Sequence, residues 1–282
     1  MKFESTEVFG FRNAIIGMRL PMSKDYEDAL SKIDSYYEGF DFVIGPNDKK
    51  VMKSLINADI RAGKSKPNSK FLRMIHVQVA ITAPLSFWKE YDTYKISTVA
   101  NSTSTMHKIQ SYEITEDCFE RKPNGEISKY INVEELENIR KDFNETKDKD
   151  KWYDIIYGLN DSWLQTRMCD LNYSTLQDMV YWRKNHKQNC WSGKDNPEIE
   201  NFIKWAKTLP YADLLIFGEE DSDESKDSDS EVLKLANKVK SDISSADNYL
   251  SCNHTNYYHV LKDTMLLVKN DFEKLYNAIV KK

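Results

Sequence analysis

The chain has 282 residues, of which 40% are hydrophobic and 12% aromatic, enough for one large domain or two modest ones with a real core. Its net charge is -5, but residues 219–231 alone hold eight acids and one lysine. The rest is slightly positive, which disfavours a basic nucleic-acid binder and leaves room for an anionic small ligand. No apolar run approaches the roughly 18 residues of a membrane span, and the N-terminus lacks the pattern of a signal peptide, so we expect a cytoplasmic protein without a membrane partner.

The four cysteines are widely spaced in the sequence. No two of them are close enough for a zinc pair, and a chain of this length does not depend on disulfides. We therefore expect thiols in a reducing compartment and no metal centre, at Cys118, Cys169, Cys190 and Cys252.

The first third of the chain shows three local patterns. Residues 9–22 are apolar at their centre and end in glycine and proline, which predicts a strand. Residues 25–37 repeat apolar side chains at helical spacing, which predicts a helix. A turn over residues 45–48 precedes a second helix, for which Asn47 or Asp48 is the expected cap.

The most informative stretch follows, from residue 71 to residue 107. Residues 71–82 alternate in period two with many β-branched side chains, which predicts a central strand. A helix follows, with Pro84 near its first turn. Residues 93–107 are rich in hydroxyl side chains. They fit either a polar loop with a hairpin turn or the wall of a ligand pocket.

Helical patterns dominate the remaining part of the folded body. Apolar spacing predicts helices within residues 133–152, 152–159, 171–183 and 197–205. Together with the strands, they predict an α+β (α/β) fold in which a mixed or antiparallel sheet is flanked by helices.

The composition changes at Gly218, and three regions are predicted. Residues 1–217 form the folded domain, and residues 218–231 form an acidic disordered linker. Residues 232–282 form a C-terminal helical hairpin, in which apolar residues alternate at spacings of three and four. Such a seam fits packing on the body and a coiled coil equally well.

Two stretches of the sequence resemble the flavin-dependent thymidylate synthases. In that family, a strand ending in an apolar-Pro pair leads to a helix and then to an Arg-His-Arg-x-x-Ser-x-Asn-x-x-Ser-x-Arg signature. Ala83-Pro84 matches the pair, and Asn101 and Ser104 match the Asn-x-x-Ser positions if one residue is inserted before them.

The second family element is a Thr-Arg pair, then an Asn, then an Arg eleven positions after that Asn. Thr166-Arg167, Asn172 and Arg183 follow this order and keep the spacing of eleven. His186, Gln188 and Trp191 loosely match the His-x-Gln-Trp sequence that follows in the family.

The chain also departs from the family at cationic positions. Thr93-Tyr94-Lys95 stands where the family has Arg-His-Arg, and Met106 stands where the signature has its last arginine. An anionic cofactor needs compensating donors in a partly buried site. These departures favour an alternative, a catalytically inactive descendant that acts as a nucleotide-binding or protein-interaction module.

If activity is retained, the resemblance implies the transfer of a one-carbon unit from methylenetetrahydrofolate to dUMP or a related pyrimidine nucleotide, with FAD as cofactor and NADPH as electron source. It implies a homotetramer with flavin at subunit contacts. Arg183 would be the catalytic residue, placed against the pyrimidine. The binding residues would be Lys95, Asn101 and Asn172 for flavin, and Ser104, Arg167 and Arg183 for the nucleotide.

Overall fold

The computed structural model describes residues 1–62 and 67–218. The strands are β1 (Lys2–Phe9), β2 (Tyr36–Glu38), β3 (Asp41–Val43), β4 (His76–Pro84), β5 (Thr98–Ser102) and β6 (Leu164–Asn172). The helices are α1 (Phe11–Arg19), α2 (Tyr26–Ser31), α3 (Pro46–Ala62), α4 (Leu85–Tyr91), α5 (Thr105–Lys108), α6 (Val133–Thr146), α7 (Lys149–Gly158), α8 (Tyr173–Arg183), α9 (Asn189–Ser192) and α10 (Phe202–Lys207). One compact unit contains residues 1–14 and the described residues from 55 onward, and a second contains residues 15–54.

The larger unit is built on a four-stranded sheet in the order β1-β4-β6-β5, in which every neighbouring pair is antiparallel. Along β4, Val77, Val79 and Ile81 are completely buried, whereas the alternate residues are partly exposed. Period-two alternation therefore gives this sheet one apolar face and one face open to solvent. The predicted α+β fold with an antiparallel sheet and flanking helices is confirmed for the described residues.

The apolar face is closed by aromatic residues of the helices. Phe87, Trp88 and Tyr91 of α4 and Tyr173 of α8 are all buried. The indole N–H of Trp88 donates to the carbonyl oxygens of Ala83 and Gln165, at 3.1 and 3.0 Å. These bonds tie α4 to the end of β4 and the start of β6.

The strand predicted over residues 9–22 is wrong, because β1 ends at Phe9 and α1 follows. Gly10, with φ at +97°, separates the two elements, and a Cβ there would lie 2.1 Å from the carbonyl oxygen of Met74. Beyond it, Phe11, Ala14, Ile15 and Met18 are buried at helical spacing. A short apolar run does not distinguish a strand from one face of a helix.

The predicted helices of the larger unit are confirmed, with one shifted start. The last of them begins at Phe202 rather than near Pro197, because the side chain of Asn201 accepts a hydrogen bond from Lys204 N and caps it there.

Strand β6 was not predicted. Apolar and polar side chains do not alternate clearly in its sequence before Leu171, although Cys169 and Leu171 are buried in the core.

The smaller unit is organised around the carboxylate of Asp48, which is fully buried. One oxygen lies 2.8 Å from Nε and 2.6 Å from Nη2 of Arg19. The other accepts from the hydroxyl of Ser35 at 2.7 Å and from the backbone N–H groups of Asp34 and Ser35 at 3.1 Å.

Helix α3 is not capped by Asn47 or Asp48 as predicted. Asp34 caps it, accepting from the backbone N–H groups of both residues at 2.8 and 3.0 Å.

Three predictions fall wholly or partly outside this description. The acidic linker and the C-terminal helical hairpin lie outside the described residues, so the domain boundaries remain predictions. Of the four cysteines, Cys118, Cys169 and Cys190 are free thiols, as expected, and Cys252 lies outside the described residues. Within residues 1–62 and 67–218, no helix combines the length and apolar character needed to cross a membrane.

Candidate functional site

The guanidinium of Arg183, at the last residue of α8, is held in one orientation. Its Nε donates to the hydroxyl of Tyr94 at 3.0 Å, and its Nη2 lies 2.8 Å from a carboxylate oxygen of Glu90. The centres of the Tyr94 and Trp191 rings lie 5.5 and 5.3 Å from its Cζ, and the side chain is 15% exposed. These contacts use only some of the five N–H donors of a guanidinium. A planar, fixed cation of this kind suits a planar ligand that carries acceptor oxygens.

Tyr94 is a second polar group at this point. Its hydroxyl oxygen accepts the bond from Arg183, which leaves the hydroxyl proton able to donate elsewhere. Burial raises the pKa of Tyr94, although the nearby charge of Arg183 acts in the opposite direction. The phenol is therefore neutral at pH 7 and acts as a donor rather than as a base.

The wall behind Arg183 is a cluster of aromatic rings from three helices. The Trp191 indole of α9 stacks on Phe87 of α4, with ring centres 4.1 Å apart, and meets Phe202 of α10 edge-on at 5.0 Å. All three side chains are buried. Such packing holds Trp191 rigidly, so the guanidinium that lies over it has a fixed support.

Arg167 of β6 has a closely similar environment. Its Nη1 donates to Asp92 at 2.8 Å, its Nε donates to Gln165 at 3.0 Å, and its Cζ lies 4.2 Å from the centre of the Trp88 ring. Each of the two predicted nucleotide-binding arginines is thus paired with a carboxylate from the end of α4 and supported by a tryptophan. The positive charge that an anionic ligand would meet is consequently reduced in the unliganded chain.

Asn172 lies at the junction of β6 and α8 and has a clear structural role. Its side-chain oxygen accepts from Thr175 N at 2.9 Å, so Asn172 is the N-cap of α8, and it is only 1% exposed. A cap of this kind stabilises a helix by about 1 kcal/mol. Contact with flavin through the other atoms of its carboxamide remains a prediction.

The other three predicted residues are exposed, on segments next to the arginines. Lys95 directly follows Tyr94 in the loop between α4 and β5. Asn101 of β5 pairs with Met168, beside Arg167, in the β5–β6 ladder. Ser104 caps α5, since its hydroxyl accepts from His107 N at 3.2 Å. The polar segment of residues 93–107 thus contains a strand and a short helix, which neither sequence interpretation included.

The fold brings the predicted residues together only in part. Lys95 directly follows Tyr94, the partner of Arg183, and Asn172 and Ser104 serve as helix caps. Asn101 pairs with Met168, so its side chain lies on the face of the sheet opposite to that of Arg167. Sequence reasoning missed Glu90 and Asp92 as partners of the arginines. Their only signal was an acidic end to a short helix, which does not identify a distant partner.

These elements define an α+β protein with an arginine site at the end of α8, beside an antiparallel sheet. Comparison with solved structures identifies the fold as that of the flavin-dependent thymidylate synthases. The structure of thymidylate synthase X (ThyX) from Helicobacter pylori with FAD and dUMP matches with a TM-score of 0.54 and 14% identity, covering 77% of this chain and 97% of that one. A second structure of the Helicobacter pylori enzyme, also complexed with FAD and dUMP, matches with a TM-score of 0.53 and 13% identity, covering 78% of this chain and 100% of that one.

No family model matches this sequence, and no curated protein matches it. At such low identity, the likeness establishes the fold alone. It confirms the resemblance seen in the sequence at the level of architecture, over three quarters of the chain. The roles of individual residues remain to be argued from their geometry.

Proposed function

We propose that this chain binds a pyrimidine nucleotide against Arg183 and transfers a one-carbon unit from methylenetetrahydrofolate to dUMP or a related nucleotide, with FAD as cofactor and NADPH as electron source. The observation that carries the proposal is the fixed guanidinium of Arg183 between Tyr94 and Trp191. It lies on a fold shared with proteins solved with FAD and dUMP.

In this proposal, Arg183 acts on the pyrimidine ring. Its open N–H donors hold a ring carbonyl, and its charge stabilises negative charge that develops on the ring during transfer. The support from Trp191 and Tyr94 means that little reorganisation is needed when the ligand arrives. Arg167 and the hydroxyl of Ser104 hold the nucleotide, and Arg167 exchanges its bond to Asp92 for a bond to the ligand.

Two exposed residues support the proposed flavin site. FAD carries a pyrophosphate, which requires cationic or N–H donors. Lys95 offers an exposed ammonium and Asn101 an exposed carboxamide, on consecutive segments of the chain. When bound, flavin supplies the redox chemistry of the transfer, and the protein supplies orientation and electrostatics.

A second candidate function is nucleotide binding without catalysis. Both arginines are already paired with acids of the same chain, Glu90 and Asp92. Thr93, Tyr94 and Met106 also provide no cation where the family has one. This candidate predicts a protein that binds nucleotide but takes up no flavin.

A flavin and nucleotide titration separates the two functions. We expect the purified chain of 282 residues to show a bound-flavin absorbance band and to be stabilised by dUMP, with dAMP as the control ligand. A ligand at about 100 times its dissociation constant stabilises by about 2.7 kcal/mol, which a thermal-shift assay resolves. Stabilisation by dUMP in a colourless protein that ignores FAD would select the non-catalytic function. A chain that responds to neither ligand would refute both.

We also propose that a second copy of the chain covers the open face of the sheet. Phe9, Val99 and Met168 are 46%, 65% and 47% exposed on this face, beside the ion pair of His76 with Asp170. Asn101 lies on the same face, since it pairs with Met168. Assembly there would bring a second copy next to a predicted flavin residue, in agreement with the homotetramer that the resemblance implies.

Light scattering at micromolar concentration tests the assembly. We expect an oligomer, and we expect Met168→Asp to reduce it towards the monomer because the substitution places a charge in an apolar contact. Met22→Asp is the matched control, since Met22 is exposed and belongs to the smaller unit rather than to this sheet. A monomeric wild-type protein, or equal masses for all three proteins, would rule this interface out.

A further inference from the structure

His186 lies beside the Arg183 site and is held by three hydrogen bonds. Its backbone N–H donates to the carbonyl oxygen of Arg183 at 3.0 Å, and its own carbonyl accepts from the hydroxyl of Ser192 at 2.8 Å. Its ring nitrogen Nδ1 accepts from the backbone N–H of Gln188 at 3.2 Å. The ring is only partly exposed, and its centre lies 6.2 Å from that of Trp191. Arg183 and His186 therefore share one aromatic support.

The bond from Gln188 decides which nitrogen carries the proton. A backbone N–H can only donate, so Nδ1 presents its lone pair and the proton of the neutral ring is on Nε2. Three charged groups act on the ring electrostatically. Burial first, and then the charges of Arg183 and Lys187, lower the pKa of His186, while Glu90 acts in the opposite direction. At pH 7 the ring is therefore a neutral donor.

We propose that His186 is a further ligand-contacting residue of this site, which donates from Nε2 to the carbonyl oxygen at position 4 of a uracil ring. The inference rests on the proposed function and adds a determinant of specificity to it. Arg183 and His186 both offer only donors towards the ligand. A uracil ring presents acceptor oxygens, whereas cytosine presents an amino group at position 4.

The consequence is selection of dUMP over dCMP. An amino group placed against the Nε2–H of His186 would leave two donors facing each other in a partly buried site, without an acceptor between them. Sites built to hydrogen-bond one substrate group reject analogues in this way. We expect dUMP to bind at least about tenfold more tightly than dCMP.

Two substitutions separate the two nitrogens of the ring. In His186→Asn, the amide oxygen can take the place of Nδ1 and keep the bond from Gln188, but no group reaches the position of Nε2. In His186→Gln, the amide nitrogen can occupy the position of Nε2 and donate to the ligand, but the bond from Gln188 is lost. The Asn variant therefore preserves the structural role, and the Gln variant preserves the ligand contact.

The experiment is a calorimetric titration of the full chain and both variants with dUMP and dCMP, together with melting temperatures without ligand. We expect His186→Asn to melt like the wild type, to lose about tenfold in dUMP affinity and to lose its preference over dCMP. We expect His186→Gln to melt lower and to keep the preference. An Asn variant that binds and discriminates like the wild type would overturn the role of His186 while leaving the proposed function intact. A wild-type chain that binds no dUMP would overturn both.

The pH dependence gives an independent readout. Protonation of Nδ1 would break the bond from the N–H of Gln188, so the ring would lose the orientation that places Nε2–H against the ligand, and dUMP affinity should fall as the pH drops through the lowered pKa of His186. His186→Gln has no titrating ring, so its dUMP affinity should show only the pH dependence that comes from titration of the nucleotide phosphate. Identical pH profiles for the wild type and this variant would count against the proposal.

Discussion

Arg183→Ala is expected to remove most of the stabilisation of this protein by dUMP. Hydrogen bonds to a charged group contribute about 1.5–3 kcal/mol, so the dissociation constant should rise by about 10- to 100-fold. The variant should still fold, because the Glu90 carboxylate that it leaves behind is accessible to water. Thermal-shift titration with dUMP, at about ten times the wild-type dissociation constant, measures the effect.

Two further variants make this result specific. Arg183→Lys keeps the charge but loses the planar fork of donors, so we expect an intermediate affinity. Arg121→Ala is the matched control, since Arg121 pairs with Glu116 and Asp117 on the surface, and it should leave dUMP binding unchanged. If Arg183→Ala were stabilised by dUMP as strongly as the wild type, Arg183 would have no place in nucleotide binding.

Asp48→Ala is expected to cause the largest loss of stability among the substitutions considered. The buried carboxylate of Asp48 satisfies Arg19, Ser35 and two backbone N–H groups together. Removing one partner of a buried ion pair typically costs about 3–5 kcal/mol, because the remaining charge has lost its compensation. Urea unfolding followed by circular dichroism measures the loss as a lower midpoint.

The control for this prediction comes from the same unit. Asp28 also forms an ion pair, with Lys32 at 2.8 Å, but both side chains are accessible to water. Asp28→Ala should therefore have a much smaller effect than Asp48→Ala. Equal midpoints for the two variants would show that the Asp48 network does not hold the smaller unit together.

The sequence by itself was sufficient for elements whose signal is local. The period-two pattern of β4 and the helical spacing of α4, α6 and α8 identified these elements because burial of one face imposes such a period on neighbouring residues. The spacing of Asn172 and Arg183 is equally local. Eleven residues are close to three turns of a helix, so the cap and the terminal arginine lie on the same side of α8.

The tertiary structure decided the features that join distant parts of the chain. The bond of Arg183 to Tyr94 joins residues 89 positions apart, and that of Arg167 to Asp92 joins residues 75 positions apart. No periodic pattern encodes an ion pair between two elements, so Glu90 and Asp92 could not be identified as partners. The apolar run of α1 was ambiguous for a related reason, since only the surroundings of Gly10 show where the strand ends. Sequence thus determined the elements with a regular apolar period and the position of the arginine in α8, whereas packing alone determined which groups hold that arginine in place.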